Sequence, residues 1–114
     1  MITLKGIDPK MIANNIESSN LIHPGEMIKD EIESRRITQK RLSDITGISP
    51  SVLNEVLNGK RSVTTEYALL LEAALGIDAD IWIKLQAEYD KQKAKNDKSF
   101  MQRLERVRQY VALL

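Results

Sequence analysis

Residues 38–62 read TQKRLSDITGISPSVLNEVLNGKRS, and two breaks decide how they fold. Thr38 places a hydroxyl acceptor ahead of Gln39–Thr46, where it satisfies an orphan N–H at a helix start. Leu42 and Ile45 are spaced as inward residues of that helix, with small Ser43 at a close-contact position. Gly47 ends it, because glycine takes the left-handed conformation beyond a helix terminus without a Cβ penalty. The chain restarts at once: Ser49 caps, and Pro50 fills the first helical position, where its missing N–H costs nothing. Leu53, Val56 and Leu57 form the inner face of this next short helix, and Asn58-Gly59 stops it. One continuous helix cannot both pack on a core and project its outer face. Two short helices joined by a glycine turn can, with the first holding the second at a steep angle.

The outer face of the second short helix carries Ser51, Asn54, Glu55 and Asn58 at i, i+3, i+4 and i+7, opposite Leu53 and Val56. These residue types suit base edges in a major groove. Ser51 can bond to bases or phosphate, Asn54 can pair bidentately with adenine, Glu55 can accept from cytosine, and Val52 can meet a thymine methyl. After the helix, Lys60 and Arg61 stand where backbone phosphates would pass, beside N–H groups freed by the turn. A small helical bundle with a merely solvated polar face is the competing explanation. The turn chemistry, the paired caps and the local basicity favour DNA.

That basicity is hidden in the total. The 114 residues sum to a net charge of +1. Residues 35–63 hold six Lys/Arg against two acids, +4, whereas residues 1–34 hold three against six, −3. Residues 64–97 hold four against seven, −3, and residues 98–114 hold four against one, +3. A basic middle flanked by acid points to a polyanion at the helix pair.

Helical spacing recurs over nearly all of the chain and no sustained two-residue alternation appears, so the expected class is all-α. The sole β-like stretch is MITLKGI, a candidate arm, followed by a possible helix start at Asp8-Pro9 and a loop rich in Asn and Ser through Asn20. HPGEMIKDEIESRR opens the first clear helix, with Pro24 in its first turn, Met27, Ile28 and Ile32 on one face, and Arg35 and Arg36 at the negative end of its dipole. Downstream, Thr64 caps TEYALLLEAAL, apolar almost all round and hence central, and Gly76 stops it. Asp78 caps a fifth helix with Ile81, Trp82, Leu85 and Tyr89 at core spacing. Finally, Ser99 and Gln102 match a capping box ahead of Phe100, Leu104, Val107, Val111 and Leu114, whose 4, 3, 4, 3 spacing is the seam of an amphipathic helix that needs a partner. The expected organisation is an N-terminal arm over 1–22, a helix-turn-helix domain over 23–90, and a polar linker with a C-terminal helix over 91–114.

The stretch from ITQKRL to DADIW resembles the five-helix, phage-repressor (XRE) type of helix-turn-helix domain. HPGE, LNGKR and ALGIDADIWIKLQ narrow the resemblance to the HigA-type antitoxins, which are encoded beside a ribosome-dependent mRNA-cleaving toxin. The resemblance covers residues 23 to about 89. It implies a homodimer that represses its own operon at a palindromic double-stranded operator and neutralises a HigB-type toxin. Carried across, it makes Gln39 a phosphate contact, Ser49, Ser51, Asn54 and Glu55 candidate groove readers, and Asn58, Lys60 and Arg61 backbone clamps. Three positions depart from the pattern. Arg41 stands where such domains are frequently acidic, Glu55 is an acid facing a polyanion, and Pro50 has no side-chain hydrogen bond where related domains often carry a polar reader.

Other functions have less behind them. There are no cysteines and one histidine, His23, so no thiol nucleophile, thiolate zinc site or histidine metal cluster is expected. His23 reads as a helix-start or packing residue. No grouping resembles a catalytic site, and neither an enzyme nor a cofactor is expected. The lack of cysteine fits a reducing cytoplasm, no apolar run is long enough to span a bilayer, and MITLKGIDPK lacks the apolar core of a signal peptide. Trp82 and Tyr89 suit either the core or an interface. A dimer contact is expected at Trp82, Leu104, Val107 and Val111, and a toxin contact at the acidic first helix, through Glu26, Asp30 and Glu33 with Met27 and Ile28 supplying apolar burial. A stand-alone phage-type repressor, or an interaction module that has lost DNA binding, fits the same residues.

Overall fold

The computed structural model of the protein describes residues 21–114. The arm expected at the N-terminus lies, up to residue 20, outside the described residues. Six helices follow: α1 (Pro24–Ser34), α2 (Gln39–Thr46), α3 (Pro50–Leu57), α4 (Thr65–Leu75), α5 (Ala79–Lys95) and α6 (Lys98–Ala112). Among the described residues there is no strand, and no helix is long and apolar enough to cross a membrane. The chain divides into two compact units. Ile22–Tyr89 contains α1 to α4 and the first part of α5, and Asp90–Leu114 contains α6.

Local chemistry sets the helix ends. Thr38, Ser49 and Thr64 each accept a hydrogen bond from the N–H three residues on, the bond that fixes a helix start. Asp78 does the same for α5 by accepting from Asp80 N–H at 2.9 Å, and Glu72 of α4 reaches across to accept from Ala79 N–H at 2.8 Å. His23 caps α1 through the ring: Nδ1 accepts from Gly25 N–H at 2.9 Å, while the edge of the imidazole meets Tyr89 with centroids 4.8 Å apart. His23 is therefore a buried cap and packing residue. The end of α1 is tied elsewhere too. Arg35 pairs with Glu31 at 2.8 Å and donates from Nη1 to the Leu75 carbonyl at 2.7 Å, satisfying a carbonyl left over at the end of α4.

The core of the first unit is built from Ile28 and Ile32 of α1, Leu42 of α2, Leu53, Val56 and Leu57 of α3, Ala68, Leu71 and Leu75 of α4, and Ala79 and Trp82 of α5, closed by Ile48 and Val63 from the loops. Helix α3 packs on both α1 and α2, and α2 also packs on α4. The contact between α1 and α3 is close enough to exclude a side chain: a Cβ on Gly25 would collide with the carbonyl of Val56. In the turn between α2 and α3, Ser43 Oγ donates to the Ile48 carbonyl at 2.6 Å in a buried position, and Thr46 Oγ1 bonds both to Leu42 O and to Ile48 N–H. The side chains thus replace bonds that the break at Gly47 removes from the backbone.

Four expectations are corrected. Ile45 points outward at 55% exposure, because the approach of α2 to its neighbours buries Leu42 and Ser43 and turns the stripe away from it. Helix α4 is not enclosed all round: Leu69 and Leu70 are exposed, since only the face bearing Ala68, Leu71 and Leu75 meets the core. On α5, Trp82 is core at 4% exposure, while Ile81 beside it faces out. Helix α6 is capped by Asp97, which accepts from Phe100 N–H at 3.1 Å, so Ser99 lies inside the helix and not at its cap.

Two glycines in this unit fail for different reasons when given a side chain. Gly47 has φ 77°, and nothing lies within 4 Å of where its Cβ would stand, so Gly47→Ala carries backbone strain alone, about 1–2 kcal/mol. Gly25→Ala forces α1 away from α3 and is expected to cost ~1–3 kcal/mol or more. Urea denaturation checks both costs. Amide NMR shifts should stay local to the turn for Gly47→Ala and spread through Leu53–Asn58 for Gly25→Ala.

Candidate nucleic-acid interface

Helix α3 turns Leu53, Val56 and Leu57 into the core, and this fixes what remains outside. Ser51, Asn54 and Asn58 are exposed, Glu55 is half-buried, and Val52 lies at the half-buried edge. The four polar residues expected on one face are brought together on that face. Lys60 and Arg61 follow in the turn and are exposed. Ser49 stands at the head of the helix with its hydroxyl oxygen accepting from Val52 N–H at 3.3 Å, which leaves the hydroxyl proton to donate outward.

The polar groups are joined to one another. Asn54 Nδ2 donates to Oε1 of Gln39, the first residue of α2, at 3.1 Å. Asn58 Nδ2 donates to the Asn54 carbonyl at 2.9 Å, and Asn58 Oδ1 accepts from Lys29 Nζ at 3.3 Å. Glu55, the acid that departs from the expected pattern, is held at 3.1 Å by Arg61, both side chains remaining more than 40% exposed. Its charge is thus balanced within the same surface. An exposed pair of this kind contributes about 0–1 kcal/mol to stability, so its effect here is on charge and orientation.

Lys29 is the residue that the sequence alone does not point to. It sits in a segment of net negative charge and is separated from Asn58 by 29 residues. It reaches Asn58 because Gly25, one turn earlier on α1, lets the helix approach Val56 of α3. The acidic residues of α1 occupy a different position: Glu26, Asp30 and Glu33, at i, i+4 and i+7, are all exposed, as is Met27. Ile28, expected to add apolar surface to that face, is fully buried and unavailable. Of the residues expected at a dimer contact, Trp82 is committed to the core. Val107 and Val111 of α6 are exposed, with Leu104 half-buried one turn before Val107.

Among the described residues no group of His, Asp or Glu is arranged to hold a metal ion. The arrangement is a rigid convex helix with donors and acceptors of base-reading type and a basic turn at its end.

Comparison with known proteins agrees with this geometry. The helix-turn-helix family model matches residues 28–82. Virulence-associated protein I of Dichelobacter nodosus is 35% identical over 78 residues, covering 68% of this chain and 72% of that protein. An addiction module antidote protein of a HigA family from Coxiella burnetii is 30% identical with a TM-score of 0.67, covering 76% of this chain and 94% of that one. The Pseudomonas aeruginosa antitoxin HigA, solved with the higBA promoter, is 28% identical with a TM-score of 0.63, covering 66% of this chain and 83% of that one.

Proposed function

The chain belongs to the HigA-type helix-turn-helix family, and we propose that it is the antitoxin of a toxin–antitoxin pair. In this role it binds a palindromic operator as a dimer, represses its own operon, and neutralises an mRNA-cleaving toxin of the HigB type. The observation that carries the DNA-binding part is the exposed stripe Ser51, Asn54, Asn58 on α3, next to Lys60 and Arg61. The relative from P. aeruginosa, solved with a promoter, supports the same use of the fold.

Operator binding places α3 in the major groove with Lys60, Arg61, Asn58 and Gln39 at the phosphates. Two such helices related by a dimer axis read half-sites about one helical turn, ~34–36 Å, apart. Lys60→Ala with Arg61→Ala is expected to weaken binding to all duplexes and to flatten the salt dependence by roughly one unit of slope per lost phosphate contact. A gel-shift titration in which this double variant binds promoter DNA as well as the parent protein would remove the proposal.

The dimer has an apolar surface to use in α6, where Val107, Val111 and Leu114 are exposed along one seam. Covering it contributes at ~25 cal/mol per Å² of apolar area. Truncation after Asp97 is therefore expected to shift the protein towards monomer at micromolar concentration, as read by light scattering. An unchanged dimer means that α6 plays no part in assembly.

Repression and neutralisation together require that the toxin leave α3 free. A toxin that seeks ribosome and RNA is expected to be basic, and the exposed stripe Glu26, Asp30 and Glu33 on α1 offers it a complementary face, with Met27 adding apolar contact. Reversing Asp30 and Glu33 to Lys should slow toxin association at low salt and leave operator affinity nearly intact. Surface plasmon resonance checks both, and an unchanged on-rate places the contact elsewhere.

A further inference from the structure

If α3 enters a major groove, Asn54 is the side chain on it able to make a bidentate base contact through an amide, and whatever fixes that amide fixes the base it reads. Helix α3 begins with Pro50, which offers no side-chain hydrogen bond at its first position. Gln39 at the start of α2 instead reaches Asn54, on the next turn of α3, over a sequence separation of 15 residues.

An asparagine amide can face a partner in two ways, and each presents a different pattern outward. When Nδ2 donates to Gln39, Asn54 keeps Oδ1 as an acceptor and one N–H as a donor. That pair matches adenine, which shows its N6 amino group as donor and N7 as acceptor. When Oδ1 accepts from Gln39, two N–H groups face outward, and two donors match the O6 and N7 acceptors of guanine. The orientation in this protein is the first, with Nδ2 donating to Oε1 at 3.1 Å.

Phosphate chemistry holds it there. An ionised phosphate oxygen accepts and does not donate, so a glutamine at the DNA backbone turns Nε2 towards it. Oε1 is then the only group that Gln39 can offer Asn54. We propose that Gln39 is a positioning residue that passes the acceptor character of a DNA phosphate on to Asn54 and thereby selects adenine over guanine at the base pair Asn54 faces. On the far side, Asn58 holds the Asn54 carbonyl at 2.9 Å and is itself held by Lys29, so the segment carrying Asn54 is anchored to α1 as well as α2. The inference rests on the DNA-binding reading above and adds to it the base and the residue that chooses it.

The test uses the full chain and duplexes selected from a randomised library. The base pair facing Asn54 is the one whose preference Asn54→Ala abolishes, and its A·T and G·C forms are compared by fluorescence anisotropy. The parent protein is expected to prefer adenine there by about fivefold or more, the lower end of what one bidentate contact discriminates. Gln39→Ala should lose most of that preference with an unchanged urea midpoint. Gln39→Glu, which still accepts from Asn54 but cannot donate to phosphate, should bind every duplex more weakly and keep the adenine preference. A Gln39→Ala protein that binds all duplexes more weakly while keeping the ratio overturns the positioning role, as does a parental preference for guanine. Failure of the parent protein to select any duplex overturns the DNA-binding reading itself, and this inference with it.

Discussion

The contact on which the rest of the first unit depends is the approach of Gly25 to the carbonyl of Val56. There is no room for a Cβ between them. Because α1 can come that close, the end of α3 is seated on the start of α1, His23 is buried beneath the turn at Gly59, and Lys29 is brought to Asn58. A larger residue at position 25 would separate the two helices, and α3 would lose the support that aims it. The sequence HPG is thus one device: His23 supplies the cap, Pro24 the first helical residue, and Gly25 the space.

Aiming a helix is only half of building a reading surface, because long polar side chains also have to be held. Here the holding is done by neighbours on the surface itself. Gln39, Asn54, Asn58 and Lys29 form one connected set across three helices, and Glu55 with Arg61 forms another at the end of α3. Exposed bonds of this type add little to folding stability, about 1 kcal/mol or less each. Their consequence is that side chains enter a complex with part of their rotational freedom already removed, which lowers the cost of binding. The Glu55–Arg61 pair also accounts for an acid on a surface meant for a polyanion: its charge is compensated before any phosphate arrives.

The apolar residues tell a complementary story about size. A core shared by short helices can enclose one face of each and no more. Helix α4 has leucines at 69, 70, 71 and 75, yet only Leu71 and Leu75 are buried, and α5 buries Trp82 while exposing Ile81. Hydrophobicity all round a helix therefore does not mean burial all round. It leaves Leu69, Leu70 and Ile81 on the outside of the first unit, and Val107 and Val111 on the outside of the second.

What the sequence determined by itself was whatever short-range chemistry enforces. The helix starts at Thr38, Ser49 and Thr64 and the breaks at Gly47 and Gly76 follow from bonds and torsions within a few residues, so the residue type at one position is enough to place them. The inward stripe Leu53, Val56, Leu57, and hence the outward stripe of α3, follows from periodicity in the same way. Asp97 shows the limit even at short range: two acceptors two residues apart compete for one helix start, and the carboxylate takes the cap ahead of Ser99. Only the tertiary structure decided which way Ile45 faces, which orphan carbonyl Arg35 satisfies, that Lys29 joins the candidate interface, and that Gln39 reaches Asn54. The contacts of Arg35, Lys29 and Gln39 join residues 15 to 40 positions apart, and nothing in the local pattern encodes them. They are set by how closely the helices approach, which depends on where a glycine or a serine leaves space between two backbones.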